Sequence, residues 1–157
     1  MGKMTPLDRT MIIMIGLQGS GKSEYCRQFL PEYTRVNLDT LRTRNNESRM
    51  LDKCFAKGIS FVVDNTNPTR AERARYIKPA QERGYHIIGI FMESKLKECI
   101  LRNNLRKGKA RIGAKAIATT SNKLEMPGWS EGFDELFFVH NDGTTMTMEV
   151  WRDTDGV

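Results

Sequence analysis

The chain is short of most residues that build extracellular, membrane or metal-bound scaffolds. It has three cysteines, Cys26, Cys54 and Cys99. They are scattered, odd in number and never spaced C-x-x-C, which argues for free thiols in a reducing compartment and against a disulfide framework or zinc site. The two histidines, His86 and His140, each lie in an apolar run and read as packed or surface side chains, not ligands or catalytic groups. No apolar run approaches the ~20 residues that span a bilayer. Met11 to Ile15 is too short for the core of a secretory signal and runs into a glycine-rich turn. Met1-Gly2 fails the myristoylation pattern because Pro6 stands where Ser or Thr is wanted. Repeats, low-complexity tracts and Pro/Gly/Ser-rich linkers are missing too. These absences lead us to expect one soluble, cytoplasmic domain over residues 1–157, with flexible termini at 1–9 and 152–157.

Apolar and basic residues are well supplied. At 39% hydrophobic the chain can bury a core. Its 25 Lys and Arg against 19 Asp and Glu give a net charge of +6, a balance that favours polyanionic partners such as nucleic acid. Some of the basic residues form three groups: Arg42, Arg44 and Arg49; Arg70, Arg73 and Arg75; and Arg102, Arg106, Lys107, Lys109 and Arg111. Each group can also be read as a solvated helix face.

Strand-like and helix-like segments alternate. Strands are expected at Thr10–Ile15, Thr34–Asn37, Ile59–Val63 and Tyr85–Met92, and a hairpin at Glu135–His140 and Thr145–Trp151 around Asn141-Asp142-Gly143. Helices are expected at Ser23–Leu30, Thr40–Lys57, Thr69–Arg83, Ala114–Leu124, and from a Ser94 cap to about Arg106. The pattern predicts an α/β fold with a mainly parallel sheet and helices on both faces. Ligands in such sheets bind beyond the carboxyl ends of the strands.

Gly16 to Ser23 reads GLQGSGKS and fits G-x-x-x-x-G-K-[ST] at every fixed position. An apolar strand precedes it and a helix follows, as the motif requires. Gly16, Gly19 and Gly21, with Ser20 between the last two, let backbone N–H groups converge on one phosphate, and the helix N-terminus adds positive charge. Lys22 would reach the β- and γ-phosphates of ATP or GTP, and the Ser23 hydroxyl would sit on Mg²⁺. Asp64 ends the apolar run Ile59–Val63 and is the second candidate for the metal, although Asp-Asn is also ordinary turn chemistry.

A phosphate acceptor requires further groups. Asp39 follows the second strand, with Arg42 three residues on and expected on the same helical face. Asp39 suits a general base on a hydroxyl and Arg42 a clamp for a substrate phosphate, but Asp39 would equally serve as a helix N-cap. Arg102 and Arg106 lie four apart at a helix end, leading into a basic loop with two glycines. This suits a closing lid, and also the plain placement of cations at a helix C-terminus.

Four stretches together resemble the kinase domain of the polynucleotide 5′-hydroxyl kinases. They are GLQGSGKS, NLDTLR at Asn37–Arg42, VVDNTNP with RARY at Val62–Tyr76, and RNNLR at Arg102–Arg106. The EGF at Glu131–Phe133 is a weaker echo. The resemblance, from about Met11 to Phe138, implies a parallel P-loop sheet under a helical lid. It implies Asp39 as general base on a nucleic-acid 5′-hydroxyl, Arg42 on the acceptor phosphate, and Lys22 and Ser23 on the donor. Arg106 would be the lid arginine, assisted by Arg102, and Asp64 the strand-end acid beside metal and substrate. Gly113 stands where the family often has proline after the lid. Asp153-Thr154-Asp155-Gly156 resembles the opening of the acid-phosphatase motif but reads as a polar tail. Small-molecule P-loop kinases and nucleotide-regulated switches share the cradle and remain alternatives.

Overall fold

The computed structural model describes residues 8–106 and 112–152. The sheet comprises β1 (Thr10–Ile15), β2 (Thr34–Val36), β3 (Phe61–Val63), β4 (His86–Met92), β5 (Glu135–Asn141) and β6 (Met146–Val150), in the order β2-β3-β1-β4-β5-β6. The first five strands pair in parallel, and β6 returns antiparallel along β5. Six α-helices connect them: α1 (Lys22–Phe29), α2 (Leu38–Leu41), α3 (Arg44–Lys57), α4 (Arg70–Glu82), α5 (Leu96–Asn104) and α6 (Ala114–Lys123).

The central strand β1 is buried throughout and apolar from Met11 onward because both its faces are covered. Met11, Ile13 and Ile15 point into a core with Leu51, Tyr76, Ile77 and Phe133. Ile12 and Met14 point into a second core with Tyr25, Leu30 and Ile90. A smaller third cluster packs Leu17 of the glycine-rich loop against Cys99 and Ile117 of α5 and α6. All three cysteines are free and buried, as their scatter predicted. No helix among the described residues is long and apolar enough to cross a membrane.

Three sequence expectations are corrected. The helix expected over Thr40–Lys57 is two helices. Arg42 leaves α2 at φ 74°, and Thr43 starts α3 by accepting from the Asn46 backbone N–H. The Asn46 side chain also donates to the Leu41 carbonyl, satisfying an acceptor at the end of α2. Asp39 and Arg42 therefore do not share one continuous helical face. Ser94 does not cap α5: Lys95 precedes the helix without a side-chain cap, and the serine hydroxyl donates to the Met92 carbonyl. Arg73 is not on a solvated face. It is 0% exposed, ion-paired to Glu131 at 2.8 Å, and donates to the Asn67 carbonyl. The two motif fragments RARY and EGF thus meet inside the protein.

Candidate active site

The GLQGSGKS loop is braced from four directions. The Gly16 N–H donates to Thr66 O at 3.0 Å, and the Leu17 N–H donates to Ser94 Oγ at 3.0 Å. The Asn141 amide donates to Ser20 O at 3.0 Å, and Arg102 donates to Gly19 O at 3.2 Å and Asn141 O at 3.0 Å. Segments after β3 and β4, the end of β5, and α5 all hold one loop. Close approach requires glycine at two points. Gly19, at φ 82°, lies where a Cβ would strike the Cys99 carbonyl oxygen. Gly21, at φ 102°, lies where a Cβ would come within 2.6 Å of the Asn141 amide.

Lys22 is buried and donates to Gly16 O at 3.0 Å and Leu17 O at 2.8 Å. Burial pulls its ammonium down to about 8, the positive charge of Arg106 pulls in the same direction, and Asp64 opposes both. Arg106, which follows α5, is therefore electrostatically coupled to the loop lysine. The rest of the basic loop, Lys107 to Arg111, lies outside the described residues, as does the Asp153–Gly156 tail.

Asp64 follows β3 and is buried. Its Oδ2 accepts from Ser23 Oγ at 3.1 Å and from Arg35 Nε at 2.7 Å. Its Oδ1 is buried, with no hydrogen-bond partner among the described residues. A buried carboxylate oxygen with spare capacity beside a serine hydroxyl fits a hard cation such as Mg²⁺, which prefers oxygen ligands. No cluster of three or more His, Cys, Asp or Glu among the described residues offers an all-protein metal site. Phosphate oxygens and water would have to complete the shell, the usual arrangement for Mg²⁺ at nucleotide phosphates.

Asp39 lies in the single turn α2, exposed to solvent. It is not the helix cap: Asn37 accepts from the Thr40 N–H instead. Asn37 also donates to the Asp64 backbone carbonyl at 2.5 Å, and Asn65 Oδ1 accepts from the Leu38 N–H at 2.9 Å. The turn bearing Asp39 is thus tied to the strand end bearing Asp64. Behind it, buried Glu47 accepts from Tyr76 Oη at 3.0 Å and from Arg44 at 2.9 Å, while Asn65 Nδ2 reaches both Glu47 and Tyr76 at 3.3 Å. Arg42, at the end of α2, is exposed and held at positive φ, a conformation costing a non-glycine residue about 1–3 kcal/mol.

Sequence reading missed Arg35, Asn37, Asn65, Ser94 and Asn141 as parts of this site. Arg35 and Asn141 lie within strands and match no motif. Asn37 and Asn65 flank the assigned acids, so their polarity at strand ends was the available signal.

The strand order and the braced loop define a P-loop kinase-type nucleotide-binding fold. The family model described as "AAA domain" matches residues 11–127, and the chain belongs to that family. A putative bifunctional polynucleotide phosphatase/kinase of Acanthamoeba polyphaga mimivirus is 36% identical over 142 residues, covering 85% of this chain and 34% of its own length. The bifunctional polynucleotide phosphatase/kinase of Schizosaccharomyces pombe is 30% identical over 132 residues, covering 80% of this chain and 32% of its own. The chain spans about a third of the length of these relatives. The resemblance read from the four motifs therefore holds over most of the chain. A gluconokinase from Sinorhizobium meliloti has the same fold, with a TM-score of 0.57 at 18% identity over 86% of this chain and 84% of that one.

Proposed function

We propose that this domain transfers the γ-phosphate of ATP, with Mg²⁺, to the 5′-hydroxyl of a DNA or RNA strand. The observation that carries the reading is the tether from Asn37 to Asp64. It ties the turn that bears the exposed carboxylate of Asp39 to the strand end that bears Asp64, whose side chain accepts from Ser23 of the phosphate loop. A nucleotide-regulated switch has no use for such a group. Two relatives named as polynucleotide phosphatase/kinases, and the basic balance of the chain, favour a nucleic-acid acceptor over a sugar.

In this reading the loop N–H groups and Lys22 hold the donor phosphates. Ser23 and Asp64 would hold Mg²⁺, which offsets negative charge at the β- and γ-phosphates. Asp39 accepts the proton of the 5′-hydroxyl as its oxygen forms a bond to the γ-phosphorus. The bond from that phosphorus to the bridging oxygen breaks, and ADP leaves. Arg106 meets charge on the transferring group, Arg102 fixes the loop and the arm that carries Arg106, and Arg42 holds the acceptor phosphate.

The direct test offers γ-labelled ATP and Mg²⁺ to a 5′-hydroxyl oligonucleotide, beside the same oligonucleotide already 5′-phosphorylated. Labelling of the first alone, lost in Asp39→Ala, supports the reading. ATP binding with no labelling of either overturns the polynucleotide acceptor and turns the search to small hydroxyl compounds.

A further inference from the structure

One cation sits where the metal would be needed. Arg35 Nε is 2.7 Å from Asp64 Oδ2, and Arg35 Nη2 is 3.2 Å from Ser23 Oγ. A single guanidinium therefore engages both side chains that fit Mg²⁺. Lys22 acts on Asp64 only at longer range, since its ammonium donates to the Gly16 and Leu17 carbonyls. The two ends of the ion pair differ in freedom: the Asp64 side chain is 1% exposed and that of Arg35 is 41% exposed.

Arg35 belongs to β2, an edge strand of three residues, in register with Val62 of β3. Its side chain borders an open groove lined by Cys26, Leu30, Tyr33 and Val62. Leaving Asp64 would move the guanidinium into this groove and solvent. Staying would hold two cations against one carboxylate, which like-charge repulsion opposes.

We propose that Arg35 is the resident counter-ion of Asp64, displaced when Mg²⁺ arrives with nucleotide, and that it sets how much metal nucleotide binding requires. The inference rests on the nucleotide-binding reading of the loop, not on the identity of the acceptor. Arg35 keeps a buried carboxylate charge-balanced between turnovers. It also raises the Mg²⁺ concentration at which the metal-bound form takes over. Its removal has opposite effects on the two forms: metal-free nucleotide then faces an uncompensated Asp64, whereas the metal meets a carboxylate with no competitor.

The test is calorimetric binding of the β,γ-imido analogue of ATP to the full chain across a Mg²⁺ titration, which involves no turnover. The expected result is a fall of about tenfold or more in the Mg²⁺ midpoint for Arg35→Ala, the size of effect a close charge contributes. In EDTA the variant should bind the analogue no better than the wild type. Adding Asp64→Asn to Arg35→Ala should abolish the gain. Arg35→Gln, which keeps size and a donor but not charge, should behave as Arg35→Ala and decides the matter if the alanine variant unfolds. An unchanged or raised midpoint overturns the counter-ion role while leaving the nucleotide reading intact. Failure of the wild type to bind the analogue at any Mg²⁺ concentration overturns both.

Discussion

Asn37 and Asp64 are joined by a hydrogen bond from the asparagine amide to the aspartate's backbone carbonyl, 2.5 Å long. The other end of the same amide caps α2 by accepting from Thr40 N and Thr40 Oγ1, each at 3.0 Å. One side chain thus ties the turn bearing Asp39 to the strand end bearing Asp64, the two carboxylates proposed for proton acceptance and metal holding.

Asn37→Asp keeps the cap and replaces the donor with an anion that faces a carbonyl. Loss of one buried hydrogen bond costs about 1–3 kcal/mol. We expect oligonucleotide labelling to fall at least about tenfold while nucleotide affinity stays within about twofold, because positioning fails before folding does. Initial rates and analogue binding measured on the same preparation check this. An equal fall in both would assign Asn37 a purely structural part.

Asp39→Asn removes the proposed proton acceptor without changing size. Labelling should drop about 10²–10⁴-fold, the usual worth of a general base. Nucleotide binding should stay near wild type, since no hydrogen bond or ion pair among the described residues ties the Asp39 carboxylate to the phosphate loop. A matching loss of nucleotide affinity would contradict the assignment.

Lys22 gives a pH dependence of defined sign. Its folded value is about 8 against 10.5 for an unburied lysine. Below pH 8 the lysine is charged in both states and carries the full cost of burial. Between about pH 8 and 10.5 the folded lysine loses its proton while the unfolded one keeps it, so the unfolded chain binds more protons and stability rises with pH. Urea unfolding at pH 7 and 9.5 should therefore show wild type gaining relative to Lys22→Met. Nucleotide affinity should move oppositely, weakening above pH 8 as the ammonium that faces phosphate is lost.

Gly19→Ala places a methyl against the Cys99 carbonyl and forces a side chain onto φ 82°. The loop or α5 must yield. The strain is worth about 1–3 kcal/mol, and nucleotide affinity should fall by more than about tenfold as the N–H groups lose their alignment. Gly84→Ala is the control. It too has positive φ, at 71°, but open space around it, and it should leave nucleotide affinity unchanged.

Much of the fold was legible because each buried strand carries its own apolar run and each break has its turn chemistry. Thr10–Ile15 appears with the same bounds in sequence and structure, and the helix end expected at Lys57 is the observed end of α3. The glycine-rich loop was legible because strand, loop and helix are consecutive in the chain. What escaped was anything that joins distant segments. Ser94 looked like a cap, since local sequence favours serine there, but its hydroxyl serves Leu17, 77 positions away. The break at Arg42 was hidden because its cause is a backbone angle that arginine rarely adopts. Arg35 carries no local pattern at all, and only the pairing of β2 with β3 brings it to Asp64.

The buried pair of Arg73 and Glu131 bears on how any survey of the basic residues should be read. Arg73 looks like one more charge on a cationic surface, yet it is an internal beam between α4 and the turn at Trp129–Glu131. Its removal leaves a carboxylate stranded at 7% exposure, a loss of about 3–5 kcal/mol. In an alanine scan for nucleic-acid contacts Arg73 would score as a strong loss for a reason unrelated to nucleic acid. Melting curves must accompany every such variant, since a residue this damaging can be one that is wholly buried.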